Sequence, residues 1–179
     1  MISCMQTALR HFRKEESGSI FLIEFVILFP LIFGIFLASI EMSLYAMRQV
    51  HLNRSLEDAV RYIRLNTQTP MTHDQIKTMV CERAGNVSNC DETLRLEMIT
   101  VDPRNFQTLP TDIDCIDKSE PVTPERGFTL GQQHDLMMLR ACLKFDPMLP
   151  TSRLGFKYAT DGSGQSAMYA ISAFVQEPG

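Results

Sequence analysis

The residue with the most demanding chemistry in this chain is Glu24, a carboxylate inside an apolar run over residues 20–40 in which Ser39 is the other polar side chain. A charged group at the centre of a bilayer costs about 2.5 to 3.5 kcal/mol on insertion scales. Near the end of a span that cost falls, because the side chain snorkels to the headgroups or meets a partner charge. Glu24 therefore reads either as an interfacial acid or as one half of an ion pair. Cysteine supplies the second kind of chemistry. Cys81, Cys90, Cys115 and Cys142 all lie beyond the apolar run, and Cys4 alone precedes it. An even set in an oxidising compartment points to two disulfides, with three pairings open to four cysteines. Cys81 with Cys90 and Cys115 with Cys142 is the preferred pairing, because a short loop containing Gly85 brings the first two together. The competing reading is that some of the four are buried thiols.

Catalytic and metal chemistry find little support. His11, His51, His73 and His134 include no HExxH or paired-ligand spacing, and the sequence holds no GxSxG, Walker A or dinucleotide fingerprint. His134-Asp135 has the composition of a general-base pair but no identifiable nucleophile to serve, and reads as a turn. Asp112, Asp114 and Asp117 offer oxygens for Ca²⁺, yet their spacing lacks the Gly and terminal Glu of an EF-hand loop, so they read as a solvated acidic loop. No catalytic residue, cofactor or metal site is assigned. The 21 acids outnumber the 17 Lys and Arg for a net charge of −4, which argues against a nucleic-acid partner.

The elements that must position these residues begin with the apolar run. At 1.5 Å per residue, residues 20–40 extend about 30 Å and cross a bilayer core as a helix. Arg10, Arg13 and Lys14 precede the run and Glu41 follows it, so the positive-inside rule places the N-terminus in the cytoplasm and the rest outside. A signal peptide fits poorly, since its apolar region is shorter and ends in a small-x-small site, whereas Leu44-Tyr45-Ala46 lacks the first small residue. Pro30 and Gly34 predict a local kink. Past the membrane, Leu52, Leu56, Ala59, Val60 and Ile63 recur at helical spacing between Arg54, Glu57, Asp58, Arg61 and Arg64. No breaker intervenes, which predicts one rod over residues 19–66, on the order of 70 Å long. Its apolar stripe packs either on its own domain or on a neighbouring subunit.

Thr72-His73-Asp74-Gln75 is a capping box that starts a second helix ending near Gly85, with Ile76, Met79 and Val80 facing inward and Cys81 on the last turn. Three antiparallel strands follow, over residues 94–101, 136–145 and 165–176. Asp102-Pro103, Asp146-Pro147 and Asp161-Gly162-Ser163-Gly164 supply the turns. In the last strand Tyr169, Ile171, Ala173 and Val175 alternate with Met168, Ala170, Ser172 and Phe174, which predicts cover on both faces; a helix is the competing reading there. Residues 102–135, rich in Pro, Thr and Asp and without period, form an unusually long loop, of the kind that serves as a binding element or is partly disordered. The organisation is then a cytoplasmic leader over residues 1–19, a transmembrane helix over 20–40 and an exported domain over 41–179. The fold class is α+β: the long transmembrane helix continues as an amphipathic helix into a small disulfide-containing domain with a short antiparallel sheet.

A basic leader, Gly18-Ser19, an apolar helix with Glu24-Phe25 near its start, Pro30 and a continuing amphipathic helix together resemble the TadE-like pseudopilins of the Tad secretion system. Residues 137–150, running into Phe145-Asp146-Pro147-Met148-Leu149-Pro150, and the closing Val175-Gln176-Glu177-Pro178 are also similar to the C-terminal part of that family. The resemblance implies a non-enzymatic, minor pilin-like component of Flp-type, type IV pilus biogenesis. It would be a single-pass protein of the bacterial inner membrane with a periplasmic pilin-like domain. Its implied partners are a prepilin peptidase, other pilin-like subunits, inner-membrane assembly proteins and the lipid bilayer. The implied processing site is Gly18, Ser19 and Ile20. Family members are cut after a Gly so that the acid becomes the fifth mature residue. Here a cut after Gly18 leaves Glu24 sixth and a cut after Ser19 makes it fifth, and Ser19 is favoured because a small residue fits the same protease subsite. Glu24 would then pair with the new amino terminus of a neighbouring subunit and set axial register. The alternative is a membrane-tethered periplasmic binding module, neither processed nor assembled into a pilus, with the long loop as its working surface. An anchored enzyme is a more remote alternative.

Overall fold

The computed structural model describes residues 17–67, 69, 71–85, 89–104, 113, 115–116, 127–147 and 165–178, with side chains from Phe21 onward. Helix α1 spans Ser17–Leu65. By compactness the chain divides between Ile40 and Glu41.

In the first unit, the described part of α1 is apolar on all sides. Phe21, Phe25, Phe29 and Phe33 are 73%, 53%, 50% and 46% exposed, a pattern of surface that only an apolar surrounding or a partner can cover. The rings of Phe25, Phe29 and Phe33 form a ladder along one side, with centroids 5.1 and 5.5 Å apart, as i, i+4 spacing dictates. The helix continues through Pro30. Among the described residues, α1 is the one helix long and apolar enough to cross a membrane.

In the second unit, Leu52, Leu56, Ala59, Val60 and Ile63 on α1 are buried in one core with Ile76, Val80 and the sheet. The amphipathic stripe therefore packs on its own domain. Helix α2 (His73–Arg83) starts at the capping box: Thr72 Oγ1 accepts from Gln75 N at 3.4 Å and Gln75 Oε1 accepts from Thr72 N at 3.0 Å. These reciprocal bonds satisfy donors that a helix start leaves without partners. It ends where Ala84 N bonds Val80 O at 2.8 Å and Gly85 takes φ +83°, a left-handed conformation that Gly adopts without Cβ strain. A single turn, α3 (Cys90–Thr93), leads into the sheet.

Strands β1 (Leu94–Val101), β2 (Leu136–Phe145) and β3 (Ser166–Val175) form an antiparallel sheet in the order β1-β2-β3. The register pairs Leu96 with Ala141 and Ala141 with Ala170, Met98 with Leu139 and Leu139 with Ser172. Period-2 alternation puts Leu94, Leu96, Met98, Met137, Leu139, Ala141, Leu143, Met168, Ala170 and Phe174 on the face that α1 and α2 cover. Each large aliphatic side chain buried there contributes about 1.5 to 3 kcal/mol. Residues 166–175 are a strand rather than a helix, but the expected cover on both faces is not found. Tyr169, Ile171 and Val175 are 46%, 56% and 49% exposed. The helices occupy one side of β3, and its other side is without cover among the described residues.

The direction of α1 on the sheet is fixed at two points. The Tyr45 ring lies 5.8 Å from that of Phe145, whose strand partner Ser166 begins β3. Arg64 Nη2 bonds Glu177 Oε1 at 2.6 Å, just past the end of β3. The helix thus runs along the sheet in the same direction as β3.

Candidate functional site

Gly18, Ser19 and Ile20 lie in the first turn of α1, and their side chains are outside the described part. Glu24 follows one turn later. Its neighbours one turn before and after, Phe21, Ile27 and Leu28, are exposed and apolar at 73%, 66% and 44%. Among the described residues Glu24 has no hydrogen bond or ion pair. An exposed carboxylate on an otherwise apolar helix can accept a cation or donor brought from elsewhere, and in an apolar medium its charge is tolerable only with such a partner.

Two disulfides organise the second unit. Cys81 at the end of α2 joins Cys90 at the start of α3, with Cα atoms 5.6 Å apart, and Gly85 lies in the intervening turn. A Cβ at Gly85 would stand 3.5 Å from the His51 ring. Cys115 joins Cys142, with Cα atoms 5.4 Å apart, so part of the long loop is tied to the central strand on the face away from α1.

Next to that tether is an ion pair that sequence reasoning missed. Arg140 Nη2 donates to Glu97 Oε2 at 2.6 Å, and the two side chains are only 4% and 6% exposed. Glu97 and Arg140 are direct cross-strand partners. Alternation along each strand could have put both on one face, but their meeting depends on a register that the residues alone do not reveal.

The other candidates take structural roles among the described residues. His134 has φ 71° and lies in a turn where Asp135 Oδ2 accepts from Gln132 N at 2.8 Å. His134 N donates to Gln176 O and Gln176 N to Asp135 O, both at 3.0 Å, so this pair closes the β2–β3 end of the sheet. His73 Nδ1 is 3.2 Å from Asp74 Oδ1 and its ring meets Phe128 edge-on at 5.3 Å. Asp112, Asp114 and Asp117 lie outside the described residues, as do Cys4, His11 and the turn over residues 161–164.

The long helix is apolar along its first part, carries one acid near its start that has no partner among the described residues, and then packs on the domain by an amphipathic stripe. Residues 20–61 match the TadE-like protein family. The match covers the part of α1 that holds Glu24, Pro30 and most of the buried stripe, and it ends before α2. TadE-like proteins are structural and pilus-associated, and the match connects this chain in general terms with the Tad pilus components. The similarities noted in the C-terminal part lie beyond it. Comparison with curated proteins and with solved structures finds no match.

Proposed function

We propose that this chain is a minor pilin-like component of Tad/Flp-type pilus biogenesis. The observation that carries the reading is Glu24, a carboxylate without a partner among the described residues, inside the helix that matches the TadE-like family. The apolar part of α1 anchors the protein in the bacterial inner membrane, with the basic leader cytoplasmic and residues 41–179 periplasmic. Prepilin peptidase cuts between Ser19 and Ile20, and the amino terminus so formed on a neighbouring subunit is the cation that Glu24 meets. An ammonium and a carboxylate brought together in an apolar bundle attract strongly at close range, and their separate desolvation makes an offset pairing costly. The pair therefore acts as a register mark between helices. The pilin-like domain then presents its sheet to other subunits and to inner-membrane assembly proteins.

Mass spectrometry of the N-terminus, in cells with and without the prepilin peptidase, tests the processing. The expected result is a chain beginning at Ile20 only where the peptidase is present. An intact Met1 terminus in both strains would remove processing from the account.

A further inference from the structure

The two disulfides stand in opposite electrostatic surroundings. Cys81 lies in the last turn of α2, at the negative end of the helix dipole. The sequence beside the bond carries Glu82, Asp91 and Glu92 against Arg83, and Arg83 is itself paired with Asp58 at 3.1 Å. A thiolate released there is opposed by the dipole and by most of the neighbouring charge.

The surroundings of Cys142 have the other sign. Cys142 sits on the central strand, with Arg95 of β1 and Tyr169 of β3 as its direct cross-strand partners. Arg140 and Lys144 flank it two residues away on β2, where alternation puts them on the same face. Glu97, which bonds Arg140 at 2.6 Å, is the one acid in the three strands. Arg140 and Lys144 are buried at 4% and 8% exposure, and all three cations make further interactions of their own. Cys142 is itself fully buried, which disfavours a thiolate, whereas adjacent Lys and Arg favour one. Three cations as nearest neighbours on the sheet stabilise the Cys142 sulfur as the anion.

Thiol–disulfide exchange requires a thiolate to reach one sulfur while the other leaves, and it is faster when the leaving sulfur is the better stabilised thiolate. Cys142 has no access to solvent, and Cys115 on the loop is only partly buried. Access and leaving ability therefore select the same direction of attack. We propose that Cys115–Cys142 is an exchangeable disulfide, with Cys115 a modification site for an incoming thiol. The incoming thiolate forms a bond to Cys115 Sγ, the Cys115–Cys142 bond breaks, and its electron pair leaves on Cys142 Sγ beside Arg95, Arg140 and Lys144. One disulfide is consumed and one is formed, so no oxidant or reductant is needed. The step marks Cys115 covalently and unties this part of the loop from the central strand. Attack by Cys142 on the mixed disulfide expels the thiol and restores the tether. The proposal concerns the rate of exchange, not how much each bond stabilises the fold, and it does not rest on the pilus reading.

Reduced glutathione in excess over the full-length chain in detergent is the probe, with acid quenching, alkylation and peptide mapping at successive times. Glutathione should appear on Cys115 and an alkylated thiol on Cys142, about tenfold or more ahead of any change at Cys81 or Cys90. Arg95→Gln and Lys144→Met each remove one cation and should slow this opening about threefold or more, with the Cys81–Cys90 rate unchanged; Lys144→Arg should keep the parent rate. A merely structural role predicts the reverse, because a loosened fold exposes the bond and speeds its opening. Glutathione on Cys142, or Cys81–Cys90 opening first or at the same rate, would overturn the proposal on the parent chain alone, whatever the variants do. Opening as fast as the parent in both charge-removing variants would overturn the role of the cations.

Discussion

At the scale of single residues, Glu24 is defined by a carboxylate that has no partner among the described residues. Replacement by Ala removes the charge and lowers the cost of insertion, so Glu24→Ala should reach the membrane at wild-type level and yet lose piliation. Glu24→Gln keeps the shape and should fail in the same way; piliation retained in Gln but lost in Ala would assign Glu24 a role in packing instead of charge pairing. Counting filaments by electron microscopy, with membrane fractionation alongside, reads both. The buried Glu97–Arg140 pair makes a different prediction. Glu97→Ala leaves a guanidinium in a site only 4% exposed and should destabilise the fold by about 3 to 5 kcal/mol. Replacing both partners, Glu97→Leu with Arg140→Met, should recover most of that loss in urea unfolding of the detergent-solubilised chain. Glu24 was legible in the sequence because one acid among apolar residues is conspicuous on any alignment of the helix. Glu97 and Arg140 were not, since each alone looks like an ordinary outward-facing strand residue and only the register brings them together.

At the scale of elements, the parts most legible were those with a local signature. Thr72 and Gln75 carry their capping bonds within one turn, and β1 and β2 are bounded by Asp-Pro turns and by apolar runs of strand length. Where two outcomes differed only in what packs against what, sequence was silent. The stripe from Leu52 to Ile63 is equally suited to its own sheet or to a neighbour, and the apolar alternation of β3 looks alike whether one face or both are covered. The disulfides separate into elements of unequal size. Loop closure over the 27-residue separation of Cys115 and Cys142 exceeds that over the 9-residue separation of Cys81 and Cys90. In the chain-entropy treatment they are worth about 3.6 and about 2.7 kcal/mol respectively. Paired Cys→Ser replacements should therefore give two destabilised proteins, with the Cys115/Cys142 pair the more affected by roughly 1 kcal/mol in denaturant midpoints converted to free energy. The reverse order would show that strain or residual structure in the unfolded chain outweighs loop length.

For the molecule as a whole, cysteine bookkeeping reports on maturation. The chain has five cysteines, four of them in cystines, and Cys4 lies before the proposed cut. A mature chain beginning at Ile20 should therefore bind no maleimide under denaturing, non-reducing conditions, whereas the uncut chain should bind one equivalent. One equivalent on protein from peptidase-containing cells would contradict cleavage after Ser19. The two cystines also have an order that matters during synthesis. Counted from Cys81, first joins second and third joins fourth, so the covalent loops are consecutive and neither encloses the other. A segment emerging on the oxidising side of a membrane can close the first crosslink before the third cysteine arrives, and then close the second. On the export proposed above, the native connectivity would be able to form in order of emergence, without a mispaired intermediate that a disulfide isomerase has to reshuffle.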